Sequence, residues 1–139
     1  MEITANAIQN VNPNQIVVFT ETAVAGNCSI IHREGSGLVT ARGLTSQCRA
    51  RFKVSFGANI AVPEGGTAEA ISLAIALNGE AIPTTTMTVT PAAVDEYFNV
   101  YSSVFLDVPR GCCNQISVEN ISTQAVSVQN ANLIVERVA

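Results

Sequence analysis

The sequence predicts an all-β fold, a jelly-roll sandwich, and three observations carry that prediction. Within residues 69 to 90, Ile71, Leu73, Ile75 and Leu77 alternate with Ser72, Ala74 and Ala76, the period-2 pattern of a strand with one apolar face. Asn78-Gly79 then supplies the residues that tolerate positive φ in a type I′ turn, and β-branched residues resume from Ile82 to Val89, which makes a hairpin. The second observation is the alternation over residues 49 to 62, with Phe52, Val54, Phe56, Ala58, Ile60 and Val62 on one face and Arg51, Lys53, Ser55, Gly57 and Asn59 on the other. The third is that no stretch holds a 3.6-residue period over ten or more positions. Roughly eight to ten short strands separated by turn signals read as a sandwich or barrel, and the jelly roll is the expected form.

In chain order, residues 1 to 14 mix Ile3, Ile8 and Val11 with Asn and Gln, and Pro13 breaks any regular element. They read as an N-terminal arm ahead of a single domain at residues 15 to 139. Residues 15 to 24 make a first strand ending at Gly26-Asn27, and 28 to 32 a second. Arg33 to Gly37 form a turn, 38 to 41 another short strand, and the loop near Gly43 leads to Cys48. The strand from residue 49 to 62 exceeds the usual length, so a bend or bulge is expected at Gly57. After Pro91, a strand from Glu96 to Val108 sets Phe98, Val100, Val104, Leu106 and Val108 against Tyr97, Tyr101 and Phe105. Strands at 115 to 121 and 125 to 138 complete the chain.

Charged residues make up only 13% of the 139 residues, against about 25% in a typical soluble protein, and the net charge is -4. A surface so poor in charge suits burial against neighbours. Its single lysine and scattered arginines argue against nucleic acid. Arg49, Arg51 and Lys53 do share one strand face, where a solvated or ion-paired face is the common meaning and phosphate binding the rarer one. No signal peptide or membrane-length apolar run is seen, so a soluble chain made in the cytoplasm is expected. One histidine and no Gly-x-Ser-x-Gly leave no nucleophile, base and acid to assemble; no enzyme activity and no cofactor are expected.

Cys28, Cys48, Cys112 and Cys113 are the residues that invite chemistry. If each loop reverses the chain, all four lie at one end of the sandwich, and two disulfides with three possible connectivities become feasible. A pairing of Cys48 with Cys112 or Cys113 is the expected one. Small buried hydrophobes are the plain alternative, and metal binding is disfavoured because no C-x-x-C spacing is present. His32 is available to a Cys-His site, although a lone histidine is more often a hydrogen-bonded structural residue. The sequons at Asn27 and Asn120 read as chance.

FKVSFGANI at 52 to 60, ISLAIALNGEAIP at 71 to 83, YFNVYSSVFLDVPRGC at 97 to 112, ISVENIS at 116 to 122 and ANLIVERVA at 131 to 139 together resemble the C-terminal jelly-roll domain of bacterial collagen-like and exosporium surface proteins. That family resembles the complement and tumour-necrosis-factor trimers in fold. The sequence lacks the Gly-X-Y stalk of such proteins, and free-standing domains of this kind also resemble small trimers on tailed-bacteriophage heads. The resemblance implies a structural virion protein, a decoration protein stabilising a phage capsid at the virion surface, whose partners are two further copies and a major capsid or other shell protein. The alternative is a receptor- or glycan-binding knob of a fibre or of a spore or cell-surface layer, although the absence of Trp weighs against an aromatic sugar platform.

The homotrimer also has a motive in the residues, because several strands are apolar on both sides. Ala74, Ala76, Tyr97, Tyr101 and Phe105 oppose the core faces of their strands and are the candidate trimer interface. Ile3, Ile8 and Val11 are the candidate shell anchor, since ordering a polar arm needs an external surface.

Overall fold

The computed structural model describes residues 1 to 111 and 113 to 139. Its strands are β1 (Glu2–Ala5), β2 (Gln9–Val11), β3 (Glu21–Val24), β4 (Ile30–His32), β5 (Val39–Arg42), β6 (Arg49–Ala61), β7 (Ile71–Leu77), β8 (Glu80–Ala81), β9 (Met87–Val89), β10 (Phe98–Pro109), β11 (Cys113–Asn120) and β12 (Val126–Arg137). They build two antiparallel sheets. The first runs β10-β6-β12-β1-β3 with β2 also on β12, and the second runs β4-β5-β11-β7-β8 with β9 also on β7. This is the jelly-roll sandwich that the alternation predicts.

The core lies between the sheets, and the long alternation supplies its centre. Ala50, Phe52, Val54, Phe56, Ala58 and Ile60 of β6 are buried and meet Ile71, Leu73 and Ile75 of β7, Ile116 and Val118 of β11, and Leu133 and Val135 of β12. Phe19 and Phe56 pack edge to face at 6.4 Å between centroids. Phe98, placed by parity on the core side of β10, starts its strand at the rim and stays partly exposed.

The β6–β10 register runs without a break from Phe98↔Ile60 to Pro109↔Arg49, so β6 carries no bulge at Gly57. The irregularity sits on the neighbouring strand: Gln129 pairs with Asn59 and Asn132 with Gly57, leaving Asn130 and Ala131 together opposite Ala58. Asn130 takes φ +54°, a left-handed conformation that asparagine tolerates, and the extra residue is therefore accommodated in β12.

The hairpin turn has φ +52° at Asn78 and +84° at Gly79, the double positive pair of a type I′ turn. The returning strand is shorter than expected. Pro83 has no N–H for the ladder, and the chain leaves β8 for a 3-10 turn over Pro83–Thr85. The buried hydroxyl of Thr85 replaces the missing pairing by accepting from Ile75 N–H at 2.9 Å and donating to Ile82 O at 2.7 Å.

The expected strand from residue 15 to 24 is divided between the sheets. Val17 N–H donates to Val118 O at 2.8 Å in the second sheet, whereas Thr20 N–H donates to Thr4 O at 3.0 Å in the first. Buried Val17 and Phe19 mark the crossing.

The N-terminal segment is not an arm outside the domain. β1 lies between β12 and β3, with Ile3 opposite Leu133, and β2 pairs with β12 through Val11↔Val126. Ile3 and Val11 are core residues, not anchors for an external shell. The terminal ammonium donates to Val135 O at 2.7 Å. Residues 1 to 14 therefore belong to the same sandwich as the rest of the chain. Neighbouring strands, not an outside surface, supply their order.

Candidate functional site

Three surface features bring together residues with a capacity to bind: the outer face of the first sheet, the cysteine-bearing end, and a cleft at the opposite end.

On the outer face, the register aligns Tyr101 with Gly57, Asn132 and Thr4 in one row, and Ser103 with Ser55, Ile134 and Glu2 in the next. Phe105, Lys53 and Glu136 form a third. Glycine and serine make a low floor, on which Tyr101 is 63% and Phe105 61% exposed. Ser55 and Ser103 hydroxyls lie 3.1 Å apart. Hydrogen bonding from Ser55, then from Ser103, with a smaller contribution from the Lys53 ammonium, holds the Tyr101 hydroxyl below the usual tyrosine range. The charged margin is internally paired. Arg51 donates to Asp107 through Nε at 2.8 Å and through Nη2 at 3.1 Å, and Arg49 Nε lies 3.3 Å from the same carboxylate. The hydrogen bond from Arg51, reinforced by both positive charges, holds Asp107 below the ordinary carboxylate range. Two members of the basic triplet seen in the sequence, Arg49 and Arg51, are thus ion-paired through Asp107.

Of the other interface candidates, Tyr97 is half-buried, with its hydroxyl 2.9 Å from Ser127 Oγ. Ala74 and Ala76 are fully buried within the single chain and have no surface to offer a partner, because neighbouring chain already covers that part of β7. Among the shell-anchor candidates only Ile8, 57% exposed, keeps a free surface.

The three described cysteines gather at one end, as strand reversal implies. Arg42 pairs with Cys113 in register and its Nη1 donates to Cys28 O at 3.2 Å, while Arg110 N–H donates to Cys48 O at 2.9 Å. Cys28, Cys48 and Cys113 are exposed free thiols, so neither the expected disulfide from Cys48 to Cys113 nor the buried-hydrophobe alternative describes them. Cys112 lies outside the described residues. His32 belongs elsewhere: its Nε2 donates to Ser36 O at 2.8 Å, and its ring meets Phe19 edge-on at 6.5 Å. Among the described residues no three His, Cys, Asp or Glu side chains cluster as a metal site would require.

The cleft is the feature that sequence reasoning missed. About 450 Å³ in volume, it lies where Asn10 and Asn12 approach the 63 to 67 loop and Gln124. Buried Asn120 organises it, donating through Nδ2 to Val11 O at 2.8 Å and to Gln124 O at 2.9 Å while its Oδ1 accepts from Ser122 N–H at 2.8 Å. Gln124 in turn clamps Thr67, accepting from its N–H at 3.0 Å and donating to its carbonyl at 2.7 Å. An asparagine in phase with inward Ile116 and Val118 at the end of β11 was the available signal. Burial also removes Asn120 as a glycosylation acceptor in the folded chain.

No protein-family model matches the sequence, and no curated protein is significantly similar to it. Among solved structures, the chain is similar to Eiger TNF from S. frugiperda, with 10% identity, 100% of this chain and 92% of that chain covered, and a TM-score of 0.69. It is also similar to the globular domain of zebrafish complement 1qA, with 12% identity, coverage of 96% and 93%, and a TM-score of 0.63. At such identities the likeness establishes the fold alone, a jelly-roll sandwich.

Proposed function

We propose that this chain is the subunit of a homotrimeric structural head that decorates a protein shell, in the first instance a bacteriophage capsid, and that it acts without catalysis. The observation that carries the assembly is the outer face of the first sheet. Tyr101 and Phe105 stand more than half exposed on a glycine- and serine-floored surface that no other described residue covers. Two aromatic side chains on one flat face favour association, because each buries a large apolar area at little cost in side-chain entropy. Three copies are inferred from the likeness in fold to complement and tumour-necrosis-factor domains.

A shell role agrees with the low content of charged residues, 13% of the chain, with exposed Ile8, and with exposed Val24, which pairs with Glu2 at the far edge of the same outer face. The paired state of Arg49 and Arg51 argues against nucleic acid as the partner, and among the described residues no helix is long and apolar enough to cross a membrane. Light scattering on purified protein tests the assembly, and electron microscopy of the native particle tests the location. A trimer in solution and threefold density on the shell are the expected results. A monomer at micromolar concentration would overturn the assembly, and a bare shell would overturn the decoration role.

A second reading, a receptor- or glycan-binding knob of a fibre or of a spore or cell-surface layer, is favoured by the polar end cleft. Its lining of Asn10, Asn12, Glu64 and Thr67 offers hydrogen-bonding groups to a ligand.

A further inference from the structure

The end cleft has a composition that selects among ligand chemistries. Asn10, Asn12 and Thr67 contribute neutral groups that donate and accept, Gln124 forms one wall, and Glu64 is the only charged side chain in the lining. A carboxylate without a neighbouring cation repels anions, and one carboxylate is a poor basis for a hard divalent cation, which is ordinarily held by several oxygen ligands. Pro63 and Ala125 are the apolar contributors, too little surface for a lipid or an aromatic ligand. What remains is a neutral molecule with many hydroxyls. A planar amide presents a donor and an acceptor side by side, the pattern that adjacent sugar hydroxyls answer, and Glu64 adds a strong acceptor.

The cleft is also held in shape before any ligand arrives. Asn120 joins the Val11 and Gln124 segments, Gln124 joins the 63 to 67 loop, and Gly66 N–H donates to Pro63 O at 3.0 Å to close the turn. A Cβ at Gly66 would come within 2.6 Å of Val62 Cγ1 and 3.1 Å of Gln124 Oε1, so the close approach of loop and wall depends on glycine there. Fixed walls reduce the ordering cost of binding.

We propose that this cleft is a binding site for a neutral oligosaccharide, with Asn10, Asn12 and Glu64 contacting the sugar and Asn120 and Gln124 acting as positioning residues; the proposal rests on the glycan-binding reading above. Without an aromatic platform each site is weak, with a Kd on the order of 1 mM, and a multimer gains avidity on a repetitive glycan surface.

The test uses the intact, isotopically labelled protein, titrated separately with cellotriose, maltotriose, chitotriose, sialyllactose and calcium chloride and read by amide chemical shifts. At least one neutral trisaccharide is expected to move the signals of Asn10, Asn12, Gly66, Thr67 and Gln124. Asn12→Ala and Glu64→Ala, both at exposed positions, are expected to weaken that response about tenfold each while leaving the melting temperature unchanged. Shifts confined to the surface around Tyr101 would overturn the assignment of the cleft but leave glycan binding standing. A response to sialyllactose or calcium alone overturns the ligand class. Silence toward every saccharide up to ~10 mM removes the glycan-binding reading together with the site.

Discussion

The ring of Tyr101 lies across Gly57 of the adjacent strand: a Cβ built on Gly57 would stand 3.8 Å from Tyr101 Cδ2. Glycine in a strand interior leaves backbone uncovered, and an aromatic neighbour on the same face covers it. Tyr101 and Phe105, four residues apart on one face of β10 with Ser103 between them, form the exposed aromatic face that the proposed trimer buries.

Charge placed on this face therefore separates assembly from folding. Tyr101→Glu with Phe105→Glu is expected to give a folded monomer, because both side chains are exposed in the single chain and contribute little to its core. Light scattering together with far-UV circular dichroism checks this. A double variant that remains trimeric would move the interface to another surface.

The N-terminal strand is expected to behave as core. Ile3 is fully buried opposite Leu133, and Ile3→Ala should destabilise by ~2–5 kcal/mol from lost burial and the cavity left behind. Urea unfolding measures it, and a change below about 0.5 kcal/mol, as for a surface position, would contradict the placement of β1.

Asp107 sets the sign of one contribution to acid stability. Its folded-state pKa lies below the unfolded value, so the Arg51 and Arg49 pairing contributes stability above the unfolded carboxylate pKa and loses it as pH falls through the folded one. Asp107→Asn should lower the urea midpoint slightly near pH ~6 and leave it unchanged near pH ~2, with a small effect in keeping with the exposure of the pair. A variant equal to the parent at both pH values would show that the ion pair contributes nothing.

The thiols at the cysteine end are expected to be reactive without denaturant. Cys28, Cys48 and Cys113 are exposed, and each should be alkylated in the native protein faster than a buried thiol permits. Peptide mapping after a short pulse of maleimide is the measurement. Protection of all three would indicate that assembly or oxidation covers this end.

Local chemistry was enough to read the long strands, because their evidence repeats every second residue. The alternation at β6 and the Asn78-Gly79 turn placed the centre of the core and the hairpin, and two-sided β10 set Tyr101 and Phe105 on the outside. Reversal of the chain at each turn likewise put Cys28, Cys48 and Cys113 at one end, a consequence of topology that needs no packing detail.

What sequence could not determine was decided by partners distant along the chain. β1 has only Ile3 and Ala5 on its inward side, too few to show a period, and it is a strand because β12 and β3 bond both its edges. The bulge expected at Gly57 belongs to β12, where Asn130 adopts the left-handed conformation, since either of two paired strands can hold an extra residue and the sequence of one alone does not choose between them. Ala74 and Ala76 show an apolar second face in the sequence, but whether such a face meets another copy or its own chain depends on what lies over it; in the folded chain it is already covered. The cleft lies furthest from what sequence can state. Asn10, Asn12, Glu64 and Gln124 come from separate segments, and their convergence follows from the bonds of one buried asparagine and of Gln124.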